Sequence, residues 1–403
     1  MIKLYNLIIY TFLFAIKIHS LVNKKSKKWI DGRKNVFSSL ENKLSKEKKI
    51  IWFHCASLGE YEQAKELIKN FKNHFSKYKI LLTFFSPSGY NNIKKNKNVD
   101  WVFYLPIDTK YNATRFIETV NPTIAFFLKS EFWYNYMNEL HRKNIPLFHV
   151  SSIFDKKDFN ITFSFSKKIL ANSSHFFVQD LKSKKILNNL KFHNVTVTGD
   201  SRFDSITANI KLNKQFEKIK NYCEEKPTII FSSIWKEDEH IYIKFIKRNK
   251  KYNYIIVPHE INYCNLISKK LDVQLYSDFK ITQNNKTLVI DEIGVLKDIY
   301  KYCKIAYIGG GFGKGIHNLI EASANDIPVV FGPNHTKFKE GDELIQINAG
   351  LSIKNYTEFC SSIEILEKSF DLVATKNYIN QNSGATKKII NFFIQKESEF
   401  LPS

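Results

Sequence analysis

The sequence predicts an α/β chain of two doubly wound domains facing a central cleft, preceded by an N-terminal membrane anchor. Three observations carry this expectation. Beyond residue 48, short apolar runs alternate with longer helical patterns, the rhythm of parallel strands joined by crossover helices. That rhythm stops over a polar stretch, 206–226, and then restarts. The chain has 403 residues, enough for two domains at roughly 100–200 residues each.

The chain opens on LYNLIIYTFLFAI, 4–16, which is nearly all apolar. Lys17 and His19 interrupt it, and KKSKK, 24–28, follows. A run of this length fits a signal-peptide core, a short span or an interfacial anchor. No small-residue cleavage site follows, and the lysines favour a body on the cytoplasmic side. Residues 1–22 therefore read as an uncleaved membrane anchor. In the first domain, 30–205, the expected strands are 49–54, 78–84, 102–106, 123–128 and 146–150. Helical patterns such as YEQAKELIKNF and EFWYNYMNELHRK lie between them. In the second domain, 206–375, the expected strands are 227–233, 252–258, 286–291, 304–310 and 327–332. The final segment, 376–403, reads as helical and is expected to return to the first domain.

Composition narrows the function. Hydrophobic residues make up 43% and aromatics 15%, which excludes a disordered chain. The formal net charge of +22 favours anionic partners: nucleic acid, an acidic membrane surface or phosphorylated substrates. It is equally the mark of lysine-rich solvated faces. Basic residues do not alternate with aromatics, and no zinc-finger or RNA-binding signature appears, so the motifs give a nucleic-acid partner no support. The five cysteines stand at neither metal-ligand nor Cys-x-x-Cys spacing, as expected of reduced thiols.

Doubly wound sheets bind ligands outside the carboxyl ends of their strands, and every motif falls at such an end. In HCASLGE, Glu60 ends a strand-to-helix turn containing Ser57 and Gly59. From spacing alone, Ser57 and Glu60 also fit a helix capping box. YIGGGFGKGIHNLIEASANDIPVVFGP, 307–333, is the densest glycine cluster. It is neither a Walker P-loop nor a dinucleotide fingerprint, because the Ser/Thr and the last glycine are missing. A strand, a glycine loop and a helix start still leave backbone N–H groups for a phosphate. Lys314 and His317 stand beside it. Asn318 and Glu321 fit a second capping box, or Glu321 accepts from ribose hydroxyls. KSEFWYN places Glu131 at an expected helix start and Trp133 in packing. In VTVTGDSRFD, Arg202 either opposes an anionic substrate or pairs with Asp200 or Asp204. The acids of SSIWKEDE read as an acidic first helical turn.

Taken in order, these stretches resemble the 3-deoxy-D-manno-octulosonic acid (Kdo) transferases of lipopolysaccharide synthesis. The similarity runs from KKWIDGRKN through WFHCASLGE, LLTFFSPSG, YLPIDTKYNATRFIETVNP, KSEFWYN, FFVQDLKSKKILNNL and VTVTGDSRFD. It continues through SSIWKEDE, VPHE, the glycine-rich stretch and FKEGDELIQINAG. The resemblance implies the GT-B fold, two Rossmann-like domains of which the first binds acceptor and the second CMP-Kdo. It implies an inverting, metal-independent enzyme without a cofactor. Kdo would pass from CMP-Kdo to the tetraacylated lipid A precursor at the cytoplasmic face of the inner membrane.

By motif, Glu60 matches the family's general base and Arg202 a lysine that stabilises the departing phosphate, with Glu131 a retained acid. Pro258 and His259 match one nucleotide segment, Ile293, Gly294 and Val295 a second, and Asn318, Leu319, Ile320 and Glu321 a third. Gly309, Gly310 and Gly311 would let the backbone approach the phosphate. The chain departs from the family at Lys129, where a glutamate is usual, at His259, where an arginine is usual, and at Ile316. VSSIFD also replaces an arginine-containing stretch. The rival readings are a GT-B enzyme of another nucleotide sugar, such as a UDP-sugar transferase or epimerase, and a non-catalytic membrane-bound lipid or nucleotide binder.

Overall fold

A computed structural model describes residues 1–44, 49–93, 96–155, 163–212, 214–279 and 286–401. Its contacts divide into two compact units, 1–205 with 382–403, and 206–381.

The first unit is built on strands β1 (Ile50–Cys55), β2 (Lys79–Phe84), β3 (Trp101–Tyr104), β4 (Ile124–Leu128), β5 (Leu147–Ser152), β6 (His175–Val178) and β7 (Val195–Val197). They form one parallel sheet in the order β3-β2-β1-β4-β5-β6-β7. Helices cover both faces, so β1 is buried throughout and reads as an unbroken apolar run. Ile51 and Phe53 pack with Phe71, Phe126 and Phe393 on one face. Ile50 and Trp52 pack with Phe116, Phe127 and Tyr136 on the other.

The second unit repeats the plan with β8 (Thr228–Ile234), β9 (Asn253–Pro258), β10 (Gln274–Leu275), β11 (Thr287–Val289), β12 (Ile305–Ile308), β13 (Val329–Phe331) and β14 (Gly350–Ser352). Its parallel order is β10-β11-β9-β8-β12-β13-β14. The strand order reverses between β1 and β4 in the first unit and between β8 and β12 in the second. Those switch points are where such sheets open a crevice at their carboxyl ends.

Four strands lie outside the sequence expectation: β6, β7, β10 and β14. They have two to four residues each, too few to display a period, and β7, β10 and β14 are sheet edges. The polar stretch after residue 205 is helical, with helices at Ser201–Leu212 and Glu217–Glu224. The helix expected from residue 131 begins at Tyr134, because the Asp108 carboxylate accepts the Asn135 and Tyr136 N–H groups and fixes the start there. Glu131 accordingly lies in the loop before the helix.

The chain re-enters the first unit at Asn382, not at the expected 376. Asp204 accepts the Gly384 and Thr386 N–H groups, capping the last long helix, Ala385–Gln395. Lys388 reaches the Thr198 carbonyl at 3.2 Å.

The N-terminal helix, Ile2–His19, is long and apolar enough to cross a membrane by length and composition. One face of it packs on the first unit through Ile2, Tyr5, Ile9, Leu13 and Ile16. Leu7, Ile8, Phe14 and Ile18 remain exposed, and so do Leu21 and Val22 beyond its end.

Candidate active site

Glu60 follows β1, and Lys129 and Glu131 follow β4, so the three side chains meet over the switch point of the first sheet. Glu60 stands at the third position of helix Leu58–His74, and the expected capping box forms. Its Oε2 accepts the Ser57 N–H at 2.8 Å and the Ser57 hydroxyl. Its Oε1 lies 3.9 Å from Lys129 Nζ. One oxygen therefore serves the helix start and the other faces a cation. The two readings of Glu60, cap and chemical group, are compatible because they use different oxygens.

Lys129 adopts φ +60°, a left-handed conformation uncommon for a side-chain-bearing residue. Hydrogen bonds hold it there. Its N–H donates to the Val150 carbonyl at 2.8 Å, and its carbonyl accepts the Ser152 hydroxyl at 2.6 Å. Ser130 donates to Ile153 at 2.9 Å. The VSSIFD stretch thus clamps the turn that carries Lys129 and Glu131. Burial, then the nearby Glu60 charge, pushes the Glu131 carboxyl up to about 7, against a partial offset from Lys129. Cys55, buried at the end of β1, is pushed up by burial, then by the Glu60 and Glu131 charges.

Arg202 pairs with Asp200, its Nε and a terminal nitrogen each 2.7 Å from the same carboxylate oxygen. Asp204 is engaged elsewhere, at the Ala385–Gln395 helix. Ser205, one turn beyond Arg202, donates to the Gln63 carbonyl at 3.4 Å, joining the starts of the two helices that carry Arg202 and Glu60.

In the second unit the glycine loop leaves β12 at the switch point beside β8. A side chain at Gly309 would meet the Ser233 and Ile234 backbone at 2.6 Å, and one at Gly311 would meet the Gly332 backbone at 2.6 Å. Gly310 sits at φ +91°. The loop is thus glycine because backbones cross there. The expected supply of free N–H groups is narrower than the sequence suggests. Gly309 donates to Ser232 at 2.9 Å and Gly310 to Asp238 at 3.0 Å, while Gly313 and Gly315 donate to the Gly310 carbonyl. Lys314 is exposed on this loop.

The second capping box does not form as expected. The short helix Ile320–Ser323 starts two residues after Asn318, with Leu319 as its cap residue. Asn318 accepts the Ile320 N–H at 3.1 Å and donates to Glu321 at 3.2 Å. Pro258 ends β9 and His259 follows it, exposed. Beyond β11, Ile293 is 81% exposed, Gly294 turns the chain at φ +87°, and Val295 is buried.

The acids of SSIWKEDE do stand in first helical turns, as expected, but Asp238 among them does more than complement the helix. It is fully buried and accepts from the Trp235 N–H at 2.8 Å, the Gly310 N–H and the Tyr307 hydroxyl at 2.7 Å. Its sequence signal is helical spacing: Ile241, Tyr242 and Phe245 stand three, four and seven residues on, and all are buried. Among the described residues, no group of three or more His, Cys, Asp or Glu side chains is placed to hold a metal ion.

Two doubly wound parallel units, with acids at one switch point and a glycine loop at the other, define the GT-B class of fold. Solved structures agree on the architecture. UDP-GlcNAc 2-epimerase from Neisseria meningitidis bound to UDP-GlcNAc matches with a TM-score of 0.62, over 86% of this chain and 100% of that one, at 14% identity. That likeness is one of fold alone. Residues 31–205 match the family model of 3-deoxy-D-manno-octulosonic-acid transferase (kdotransferase). The 3-deoxy-D-manno-octulosonic acid transferase of Rickettsia bellii is 27% identical over 375 residues, 88% of each chain. That of Aquifex aeolicus is 27% identical over 364 residues, 87% of this chain and 93% of the relative. The chain is thus similar to 3-deoxy-D-manno-octulosonic acid transferases over most of its length, and its first unit matches their family model.

Proposed function

We propose that this glycosyltransferase moves Kdo from CMP-Kdo to the tetraacylated lipid A precursor, with inversion and without a metal. The observation that carries the reading is the divided Glu60 carboxylate over the β1/β4 switch point. Glu60 Oε1 takes the proton of the acceptor's glucosamine hydroxyl as that oxygen attacks the anomeric carbon of Kdo. The bond from that carbon to the CMP phosphate breaks, and CMP leaves with the electron pair. Glu131 supports the site as the second acid, and Lys129 holds positive charge beside the base. Arg202 stabilises the phosphate, sharing its guanidinium with Asp200. The second unit binds the nucleotide through residues 258–259, 293–295 and 309–321.

The acceptor side faces a lipid surface in this reading. The N-terminal helix and KKSKK supply apolar and cationic contacts to an acidic leaflet, at the cytoplasmic face of the inner membrane. Next to that helix is a cavity of about 190 Å³ lined by apolar Leu13, Ile30 and Phe37 and basic Lys17, Arg33 and Lys34. That combination suits a lipid carrying phosphate.

The test is product mass after incubation with CMP-Kdo and the lipid A precursor. Wild-type protein yields the Kdo-lipid, and Glu60→Gln lowers the rate by about 10²–10⁴-fold, the usual contribution of a general base. Undiminished transfer by Glu60→Gln overturns the assignment of the base. A product from a UDP-sugar alone moves the protein to the UDP-sugar reading.

A further inference from the structure

Trp235, His259 and His317 come from three separate stretches, and the fold brings their rings together. Trp235 directly follows β8, His259 directly follows β9, and His317 closes the glycine loop after β12. The Trp235 indole N–H donates to His317 Nε2 at 2.8 Å. The two rings are within 9° of parallel with centroids 6.1 Å apart. An indole N–H lies in its ring plane, so this bond joins the rings edge to edge in one flat surface. His259 lies across that surface, its centroid 4.4 Å from each ring and its plane tilted 22° from both. His317 Cδ2 is the side-chain atom nearest a Cβ built at Gly310, at 3.3 Å, so this edge of the imidazole rests on the loop.

The bond fixes the chemistry of His317. An indole nitrogen is a donor only, so Nε2 must accept, and the neutral ring then carries its proton on Nδ1. Burial, then the neighbouring His259, holds His317 down to about 4, so the ring is uncharged at neutral pH. Nδ1 lies on the side of the ring away from Gly310.

We propose that Trp235 is a positioning residue, which locks His317 as an uncharged Nδ1–H donor to an acceptor oxygen of the nucleotide. The proposal rests on the reading that the second unit binds the CMP moiety. A neutral donor of fixed direction recognises a carbonyl or phosphoryl oxygen by geometry, and a free imidazole would spend part of its time in the wrong tautomer. Trp235 belongs to SSIWKEDE, the motif that the proposed mechanism otherwise leaves unused.

The experiment uses the full chain with 15N-labelled histidine, and His317 is identified by difference against a His317 variant. The Nδ1–H tautomer is expected in the wild type. In Trp235→Phe, which keeps a ring and loses the N–H, a mixture or the Nε2–H form is expected, with CMP binding weakened about tenfold. Two substitutions give an independent reading. Asn places an amide N–H where Nδ1 sits, and Gln places one where Nε2 sits. His317→Asn is expected to hold CMP within about threefold of wild type, and His317→Gln to lose about tenfold or more. An Nε2–H wild type, an unchanged tautomer in Trp235→Phe, or equal CMP affinity in the Asn and Gln variants overturns the proposal. Failure of the wild type to bind CMP, with the Nδ1–H form intact, overturns the nucleotide reading itself and is told apart by that arm.

Discussion

Glu131 and Glu60 are two acids on one switch point, and their surroundings push them to different tasks. Glu60 has one oxygen tied into the helix start and the other facing Lys129. Glu131 is held up to about 7 by burial and by Glu60. An acid raised above its ordinary 4.5 keeps its proton longer in the native state, so stability is gained as pH falls from about 7 to 4.5 and lost on the way up. Glu131→Gln is therefore expected to stabilise the protein above pH 7 by about 1–3 kcal/mol, with little effect below pH 5, measured as urea midpoints at both. The same variant is expected to flatten the limb of the transfer pH profile near 7. An unchanged profile would remove Glu131 from the titration of the site.

At the scale of elements, the N-terminal helix is the informative case. Its composition fits a bilayer crossing, but polar bonds hold it against the first unit. Tyr5 donates to the Asp108 carboxylate at 2.5 Å, and Asn135 donates to Asn6 at 2.9 Å. The same Asp108 fixes the start of helix Tyr134–Arg142, immediately after the loop of Lys129 and Glu131. A helix docked this way offers lipid only its outer face, where Leu7, Ile8, Phe14 and Ile18 are exposed. We propose that it lies in the plane of one leaflet. A cysteine introduced by Lys3→Cys is thus expected to react with a membrane-impermeant maleimide from the side that holds the main body. Reaction from the opposite side alone would establish a spanning helix.

Across the whole molecule, acid stability follows from buried neutral histidines. Burial holds His54 and His149 down to about 3 and His175 to about 4 in the first unit, and His317 to about 4 in the second. Below their ordinary 6.5 the unfolded chain takes up protons that the native chain refuses, so stability present above pH 6.5 is lost as pH falls. Glu131 and Asp108, raised to about 7 and about 6, oppose this by binding protons in the native state. Four histidines against two acids leave about two net protons. The expected loss is about 2.7 kcal/mol per pH unit between 6 and 4.5. His149→Gln is expected to reduce that slope to about half, read from urea unfolding at pH 6.0 and 4.5. A slope unchanged by the substitution would show that His149 does not carry it.

Much of this protein is written locally. The alternation of buried runs and amphipathic helices gave both sheets their central strands, because a strand covered on two faces must be apolar along its length. Glu60 and the glycine loop were placed at strand ends for the same reason, and their motifs carried the resemblance. What tertiary structure alone decided involves residues far apart in the chain. Lys129 and Glu131 reach Glu60 only because β4 pairs with β1 across two intervening strands in sequence. Asp238 holds the loop at Gly310, and Trp235 holds His317, across 72 and 82 residues. The docking of the first helix and the raised acid at Glu131 depend on burial by distant elements. Periodicity reports which face of an element is hidden; which element hides it, and what that does to a charge, is set when the chain closes on itself.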